Sequence, residues 1–449
     1  MKVKPGTSKV VEIESLAYRG EGIGHVQNKV IFVPLTAPGD QVELTISENK
    51  KNYLRGTVNH FKERSPHRIV PLCDYFGQCG GCHWQHLSYE YELEAKKKIL
   101  QDTLARIGKL GPDAYECLHP IPSPKPYGYR SRVRLQGLIQ RRTELGFFRA
   151  QSREIIPIDR CELASDFLNA TLKRLYEFLN SLDYLLAFTE VQILASPDRE
   201  EATLSFTSPQ RMDDELVKDF LKALKAHIPK VYGVSFETVT NGEVQTEHFG
   251  NCGLDFEYSF TSTSREEPVS VRYRTQIHSF SQVNPEQNRN LLKTIYDWAE
   301  PREEKVVVDL FCGAGNLSLP LAKHAKKVIG LESSPLALDA ARHNAEMNDL
   351  ANCDFRLANV YEGLDALKGE DRIDVVIVDP PRKGAKECIG NIVALEPSKI
   401  LYVSCDPTTL ARDLGVLSYS KYRLKRIQLL DMFPQTYHLE CVAEFLADE

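Results

Sequence analysis

The stretch Val306-Val307-Val308-Asp309-Leu310-Phe311-Cys312-Gly313-Ala314-Gly315-Asn316 decides the fold. Three β-branched residues form a buried strand, an acid ends it, and two glycines turn the backbone sharply enough to approach a ligand before Leu317–Ala322 resumes as a helix. The alternation continues through strands at Lys305 to Asp309, Lys327 to Glu332, Cys353 to Leu357, Ile373 to Asp379 and Ile400 to Ser404, with helices such as Pro335 to Met347 between them. Val- and Ile-rich strands separated by amphipathic helices imply an α/β fold with a doubly wound parallel sheet. In such sheets the ligand lies at the carboxyl ends of the strands.

The residues at those ends describe the ligand. A dinucleotide site would show G-x-G-x-x-G, but Gly313-Ala314-Gly315 lacks the third glycine, so a ligand without pyrophosphate is favoured over a nicotinamide cofactor and an oxidoreductase. Glu332 ends the second strand, where a carboxylate can accept hydrogen bonds from both ribose hydroxyls. Asn359 follows the third and could serve an adenine edge, and Asp379-Pro380-Pro381-Arg382 follows the fourth, near the reactive end. Any one of these could be only a turn former or helix cap; four at successive strand ends are harder to dismiss, and the expected ligand is S-adenosylmethionine. Methyltransferases acting on exocyclic amines place an aromatic residue after the prolines, and the residue here is Arg382.

Strand Ile400-Leu401-Tyr402-Val403 delivers Ser404-Cys405-Asp406-Pro407, which puts a thiol at the same edge. Uracil C5 is a poor nucleophile until a thiolate adds to C6; the scheme then needs one base to remove the C5 proton. Glu440, just before the strand-like run Val442 to Phe445, is the carboxylate for that step, in a setting where burial would raise its pKa. A cytosine C5 enzyme would also use a cysteine, but it needs a proton donor to N3 and typically a second Pro-Cys site, which the chain lacks.

The remaining 275 residues organise around this unit. At 449 residues the chain exceeds one compact core, and 42% hydrophobic and 26% charged residues are globular values. No apolar run is long enough for a bilayer and no export signal follows Met1, so a cytoplasmic protein is expected, with its 11 cysteines as thiols, metal ligands or catalytic groups. The net charge of −6 does not advertise nucleic acid. Between Ile121 and Ala150, however, Lys125, Arg130, Arg132, Arg134, Arg141, Arg142 and Arg149 face only Glu144, a surplus of six. Arg130, Arg132 and Arg134 alternate along an apparent strand, either gripping phosphates or lining a solvated sheet face. Residues 1–61 read as a small OB-like barrel of short strands that resembles a TRAM domain. Residues 62–275 read as a central α+β domain, within which about 88–109 forms a helix. Residues 276–449 carry the doubly wound sheet. Cys73-x5-Cys79-Gly80-Gly81-Cys82, with Cys161 as a fourth ligand, suits an iron-sulfur cluster. Zinc held with His83 or His86 is the rival.

Together the barrel, these four cysteines, Tyr127-Gly128-Tyr129-Arg130, Phe280-Ser281-Gln282-Val283-Asn284, the Asp309 loop, Asp379-Pro380-Pro381-Arg382, Ser404-Cys405-Asp406-Pro407 and His438-x-Glu440 resemble the RNA uracil-5-methyltransferases of the RlmD type, nearly end to end. That resemblance implies a class I S-adenosylmethionine-dependent methyltransferase with a central iron-sulfur domain. It implies a [4Fe-4S] cluster on Cys73, Cys79, Cys82 and Cys161, and cofactor contacts at Gln282, Phe311, Asn316, Glu332, Asn359 and Asp379. It also implies that residues 88–109 pack with the catalytic domain. The expected partner is structured RNA, with 23S rRNA preferred to the tRNA T-loop, no DNA or membrane partner, and a monomeric chain. An expectation of another class is an iron-sulfur RNA-binding or redox-sensing protein without catalysis, from which Cys405 and Glu440 would set an enzyme apart.

Overall fold

The computed structural model describes residues 4–139, 142–183, 188–370 and 372–448. Short strands with one buried face close the N-terminal barrel: β1 (Ser8–Glu12), β2 (Ser15–Leu16), β3 (Gly22–Val26), β4 (Lys29–Val33), β5 (Gln41–Asn49) and β6 (Tyr53–Glu63), in the order β1-β5-β6-β4-β3-β2. Their inward residues Ile13, Ile31, Val33, Val42, Leu44, Ile46 and Leu54 form a core of their own. After the cysteine loop, helix α1 (Tyr89–Thr103) starts at Ser88, whose side chain caps Tyr91 N.

Next comes a short strand, β7 (Glu116–Cys117), and then a mixed sheet built from β8 (Arg132–Ile139), β9 (Thr143–Phe148), β10 (Ile155–Pro157), β11 (Glu190–Ser196), β12 (Glu201–Ser208), β13 (Val231–Thr240) and β14 (Glu243–Gly250), in the order β10-β9-β8-β11-β12-β13-β14. Helices α2 (Asp166–Ser181) and α3 (Asp214–His227) cover one face. A hairpin of β15 (Gly253–Thr261) and β16 (Pro268–Gln276) follows, then α4 (Pro285–Ala299).

The catalytic sheet comprises β17 (Val306–Leu310), β18 (Lys327–Glu332), β19 (Cys353–Leu357), β20 (Val375–Val378), β21 (Lys399–Ser404), β22 (Tyr422–Leu430) and β23 (Glu440–Ala447). Between them lie α5 (Ser318–Ala322), α6 (Pro335–Met347), α7 (Ile389–Ala394) and α8 (Pro407–Leu417). Its order is β19-β18-β17-β20-β21-β23-β22-β7. The strands from β17 to β21 run parallel and β23 is inserted antiparallel beside β21. The strand order reverses beside β17, and this is where such sheets open a crevice for ligands.

Two features cut across boundaries drawn from texture. The hairpin β15–β16 buries Phe256, Tyr258, Val271 and Tyr273 in one core with α4 and the sheet, so the change of texture at Gln276 does not mark the edge of the packed unit. Helix α1 shares a core with α8 and the other face of the sheet, and the attachment continues past 109: β7 pairs with β22, and Ile121 bridges Leu430.

One polar contact crosses these layers in full burial. Lys96 Nζ donates to Glu92 Oε1 and Asp431 Oδ1, each at 2.7 Å, and to the Phe433 carbonyl at 3.1 Å, with all three charged side chains fully buried. Lys96→Met keeps the packing stem but leaves two carboxylates without their cation, an expected loss of about 3–5 kcal/mol. Urea unfolding followed by the fluorescence of Trp84, whose ring lies 5.7 Å from the Lys96 ammonium, measures it. A wild-type midpoint would show that the triad contributes nothing.

Candidate active site

The first strand end builds the floor. Phe311 (φ 65°), Gly313 (φ 54°) and Gly315 (φ 87°) all take the left-handed backbone, which is uncommon for a residue as bulky as phenylalanine and is often retained for function. A Cβ on Gly315 would meet the Phe355 ring at 3.3 Å, so this glycine is also demanded by packing. Asp309, buried and pushed up to about 7 by burial, is bonded by the Ser318 hydroxyl at 2.5 Å. Sequence patterning marked Asp309 only as part of the loop.

Each remaining strand end can now be placed. Glu332 accepts the Gly313 amide through Oε2 and the Ser333 and Ser334 amides through Oε1, so it ties the glycine loop to the start of α6. Asn359 is exposed, with its amide bonded to Glu362 and Tyr361 N. Asn316 exchanges paired amide hydrogen bonds with Asn288 of α4 at 2.9 and 3.0 Å. Phe311 packs on Tyr361, ring centroids 5.1 Å apart, and Lys383 Nζ lies 3.2 Å from the Tyr361 centroid. Neither Tyr361 nor Lys383 carried a sequence signal beyond position.

Gln282 lies on a strap, Ile277–Asn284, that the central sheet holds down. Gln192 Nε2 donates to the Ile277 carbonyl, Arg132 to the Ser279 and Gln276 carbonyls, and Ser131 N to the Val283 carbonyl. His278 sits between Ser235 Oγ at 2.8 Å and Glu237 Oε1 at 3.1 Å, while the buried Asn284 caps α4.

This corrects the reading of the arginine strand. Arg132 is spent on strap carbonyls, Arg134 bonds Gln192 and pairs with Glu190, and Arg130 is turned inward to the cysteine cavity. Strand β8 lies inside its sheet, between β9 and β11, where its neighbours offer carbonyls and carboxylates; of the three, only Arg134 keeps a largely exposed side chain. Arg141 lies outside the described residues.

Cys405 and Glu440 meet at the other side of the crevice. Strands β21 and β23 end their ladder on the pair Ser404 and Cys441, which leaves Cys405 and Glu440 as the adjoining residues of the two strands. Glu440 is 5% exposed, and burial together with the neighbouring Asp379 holds its carboxyl well above the ordinary range. Burial also pushes Asp379 up to about 6. The Cys405 thiol is pushed up to about 12 by burial, then by Glu440 and Asp379, against the opposing pull of Arg382. Two acids and a guanidinium thus lie within electrostatic reach of the thiol.

A separate cavity of about 390 Å³ is lined by Cys73, Cys79, Cys82 and Cys161 together with Arg130 and Glu162. Each of the three loop thiols is raised first by burial, with Cys161 a further cause for all three. The two histidines considered as zinc ligands do not line it. His86 Nε2 donates to the Thr36 carbonyl of the barrel, and the His83 ring packs against Tyr437 at 4.5 Å. Among the described residues no group of three or more His, Cys, Asp or Glu side chains is gathered closely enough to hold a metal ion.

Among the described residues no helix is long and apolar enough to cross a membrane. The family model for tRNA (uracil-5-)-methyltransferases matches residues 88–447, and that for TRAM domains matches residues 2–58. An RNA methyltransferase of Aquifex aeolicus is 36% identical, with 99% of each chain covered. The 23S rRNA (uracil(1939)-C(5))-methyltransferase RlmD of Shewanella amazonensis is 33% identical over 99% of this chain and 98% of that one. Among solved structures, the Pyrococcus abyssi tRNA (uracil-54, C5)-methyltransferase in complex with S-adenosyl-L-homocysteine superposes with a TM-score of 0.71 at 26% identity, covering 98% of this chain and 100% of the other. With its TRAM barrel, its methyltransferase sheet and a family match over four fifths of its length, the chain belongs to the tRNA (uracil-5-)-methyltransferase family, S-adenosylmethionine-dependent enzymes that methylate uracil C5 in RNA.

Proposed function

We propose that the chain forms 5-methyluridine in 23S rRNA through a covalent adduct between Cys405 and uracil C6. The ladder end that leaves Cys405 and Glu440 adjoining, with Asp379 in electrostatic reach of both, supports this reading most directly. A uridine flipped from its stack presents C6 to the thiol. Cys405 loses its proton to solvent as its sulfur bonds to C6, and the electrons that leave the C5–C6 double bond make C5 enolate-like. S-adenosylmethionine supplies the methyl group that C5 takes. Glu440 then removes the C5 proton, and the re-formed double bond expels the thiolate. A buried carboxyl with a raised pKa holds that proton more readily than an exposed one.

The six residues that the resemblance implies as cofactor contacts would serve one crevice beside β17: Phe311, Asn316 and Glu332 lie in or bond the glycine loop, Asn359 and Asp379 follow β19 and β20, and Gln282 would enter on the strap. For the substrate, relatives named as 23S rRNA enzymes are 31–34% identical over at least 97% of this chain, whereas the tRNA enzyme of known structure is 26% identical. That difference favours rRNA.

The four cysteines would hold a [4Fe-4S] cluster, whose service here is to cross-link the loop Cys73–Cys82 to Cys161. Four thiols around one cavity, no ring nitrogen among them, and space for far more than one ion, given that a water occupies roughly 30 Å³, support a polynuclear centre over zinc. The Arg130 guanidinium offers an anionic cluster its counter-charge.

Three outcomes are expected. Cys405→Ala should abolish both methylation and the covalent RNA complex, while Glu440→Gln, unable to take the C5 proton, should accumulate that complex on denaturing gels; unchanged turnover in the first variant or rapid release in the second contradicts the assigned roles. Total RNA methylated with labelled cofactor should carry its 5-methyluridine in 23S rRNA, and label in tRNA would move the substrate there. Anaerobic purification should yield four irons and four sulfides per chain, on the order of a cubane's content; stoichiometric zinc would refute the cluster.

A further inference from the structure

The barrel reaches the catalytic edge by a route that RNA binding does not require. Between β2 and β3 the turn Ala17–Glu21 closes on itself, with Gly20 N donating to the Ala17 carbonyl and Ala17 N to the Glu21 carbonyl. Arg19 (φ 93°) and Gly20 (φ 90°) are both left-handed. Gly20 is pressed against the cysteine loop and the loop before Glu440: a Cβ there would stand 3.1 Å from His83 Cβ and Trp84 Nε1 and 3.6 Å from Tyr437 Cβ. The Trp84 indole donates to the Gly20 carbonyl at 3.1 Å, and Leu16 and Ala37 are buried in the core that contains α1 and α8. The turn is therefore built to dock.

What it delivers is Tyr18. The ring meets Tyr437 edge-on at 5.8 Å, and the hydroxyl donates to Asp406 Oδ2 at 3.2 Å. Asp406 adjoins Cys405 and caps α8: its Oδ1 takes the Thr408 and Thr409 amides and the Thr408 hydroxyl. Its own amide donates to Ser404 Oγ at 3.2 Å. Asp406 N, O and Oδ1 are thus engaged within the catalytic domain, whereas Oδ2 takes its donor from a residue 388 positions away. Tyr18 and Cys405 are near enough for each to bear on the other electrostatically.

We propose that Tyr18 is a positioning residue for Cys405: by anchoring the second oxygen of Asp406 it holds the nucleophile's turn for attack, and so makes the barrel part of the catalytic apparatus. The inference rests on the reading of Cys405 as nucleophile. Asp406 cannot rotate about its Cα–Cβ bond while both oxygens are held, and Cys405 sits between it and the fixed end of β21. Without the Tyr18 bond, Oδ1 stays held by the α8 cap but the carboxylate plane is no longer pinned at Oδ2, so the turn can tilt and the thiol's approach to C6 is less closely defined, a loss that falls on the chemical step.

The test uses the full chain, with Tyr18→Phe, and RNA whose target uridine carries fluorine at C5, which cannot leave as a proton is removed and so traps the adduct. Tyr18→Phe keeps the ring on Tyr437. At saturating RNA it is expected to form the adduct about tenfold more slowly, the value of a hydrogen bond to a charged group, with RNA affinity unchanged. In RNA-free protein, alkylation of Cys405 by iodoacetamide, followed by peptide mass spectrometry, is expected to change as well, a readout independent of RNA. Adduct formation at the wild-type rate overturns the proposal, as does a loss confined to RNA affinity. Cys405→Ala separates the two layers. An adduct that persists in that variant removes the nucleophile reading itself, whereas its disappearance alongside an unimpaired Tyr18→Phe removes only the role of Tyr18.

Discussion

The buried ion triad of Lys96, Glu92 and Asp431 is the constraint on which the geometry of the site depends. Between β22 and β23 the chain crosses Asp431–Leu439 without regular structure, and Glu440 is the first residue after it. Such a connection would ordinarily be free to move. Here Lys96 bonds Asp431 and the Phe433 carbonyl, both Glu92 oxygens take the Gln435 amide, Tyr129 donates to the Pro434 carbonyl, and the Gln435 carbonyl takes the amides of His83 and Trp84. Three buried charges are expensive to desolvate, and they are tolerated because every one has a partner of opposite sign. Their effect is to make the loop that delivers Glu440 common ground for α1, the cysteine loop and the central sheet.

The same wiring accounts for why the chain has no clean domain boundaries. Helix α1 and strand β7 precede the central sheet in sequence yet complete the catalytic one, and the hairpin β15–β16 follows the central sheet yet packs under α4. In return the central sheet clamps the strap that carries Gln282. A force on the cysteine cavity, the barrel turn or the central sheet therefore reaches the crevice through only a few hydrogen bonds.

How far the sequence was legible follows from the range of the interactions involved. The strands of the parallel sheet and helix Pro335–Met347 were readable because burial on both faces imposes an apolar run and a helix imposes its period, and both are local. That the acids and the amide after β18, β19 and β20 lie along one edge of the sheet was readable because parallel strands end on the same side. The arginines of β8 stayed undecided between phosphate and solvent because alternation says which face a side chain takes but not what covers that face; the strap that takes Arg132 lies about 145 residues later, as its bonds to Ser279 and Gln276 record. Tyr18, Lys96 and Asp431 gave no signal, since a lone tyrosine in a turn or a lysine in a helix reads as solvent-facing until its distant partner is known.

The crevice also has a charge logic. Asp309, Asp379 and Glu440 converge on one sheet edge, each with its carboxyl raised first by burial, and the acids Asp379 and Glu440 raise the thiol between them further. An uncompensated set of buried acids is costly in the free protein, and Arg382 is the cation that bears on the thiol. A sulfonium carries a fixed positive charge that no change of pH removes, so a ligand of that kind recovers part of the cost when it enters, and the uncharged product left after methyl transfer does not. The acids of the crevice thereby favour the charged cofactor over its demethylated product, so that the spent cofactor is held less tightly than the fresh one.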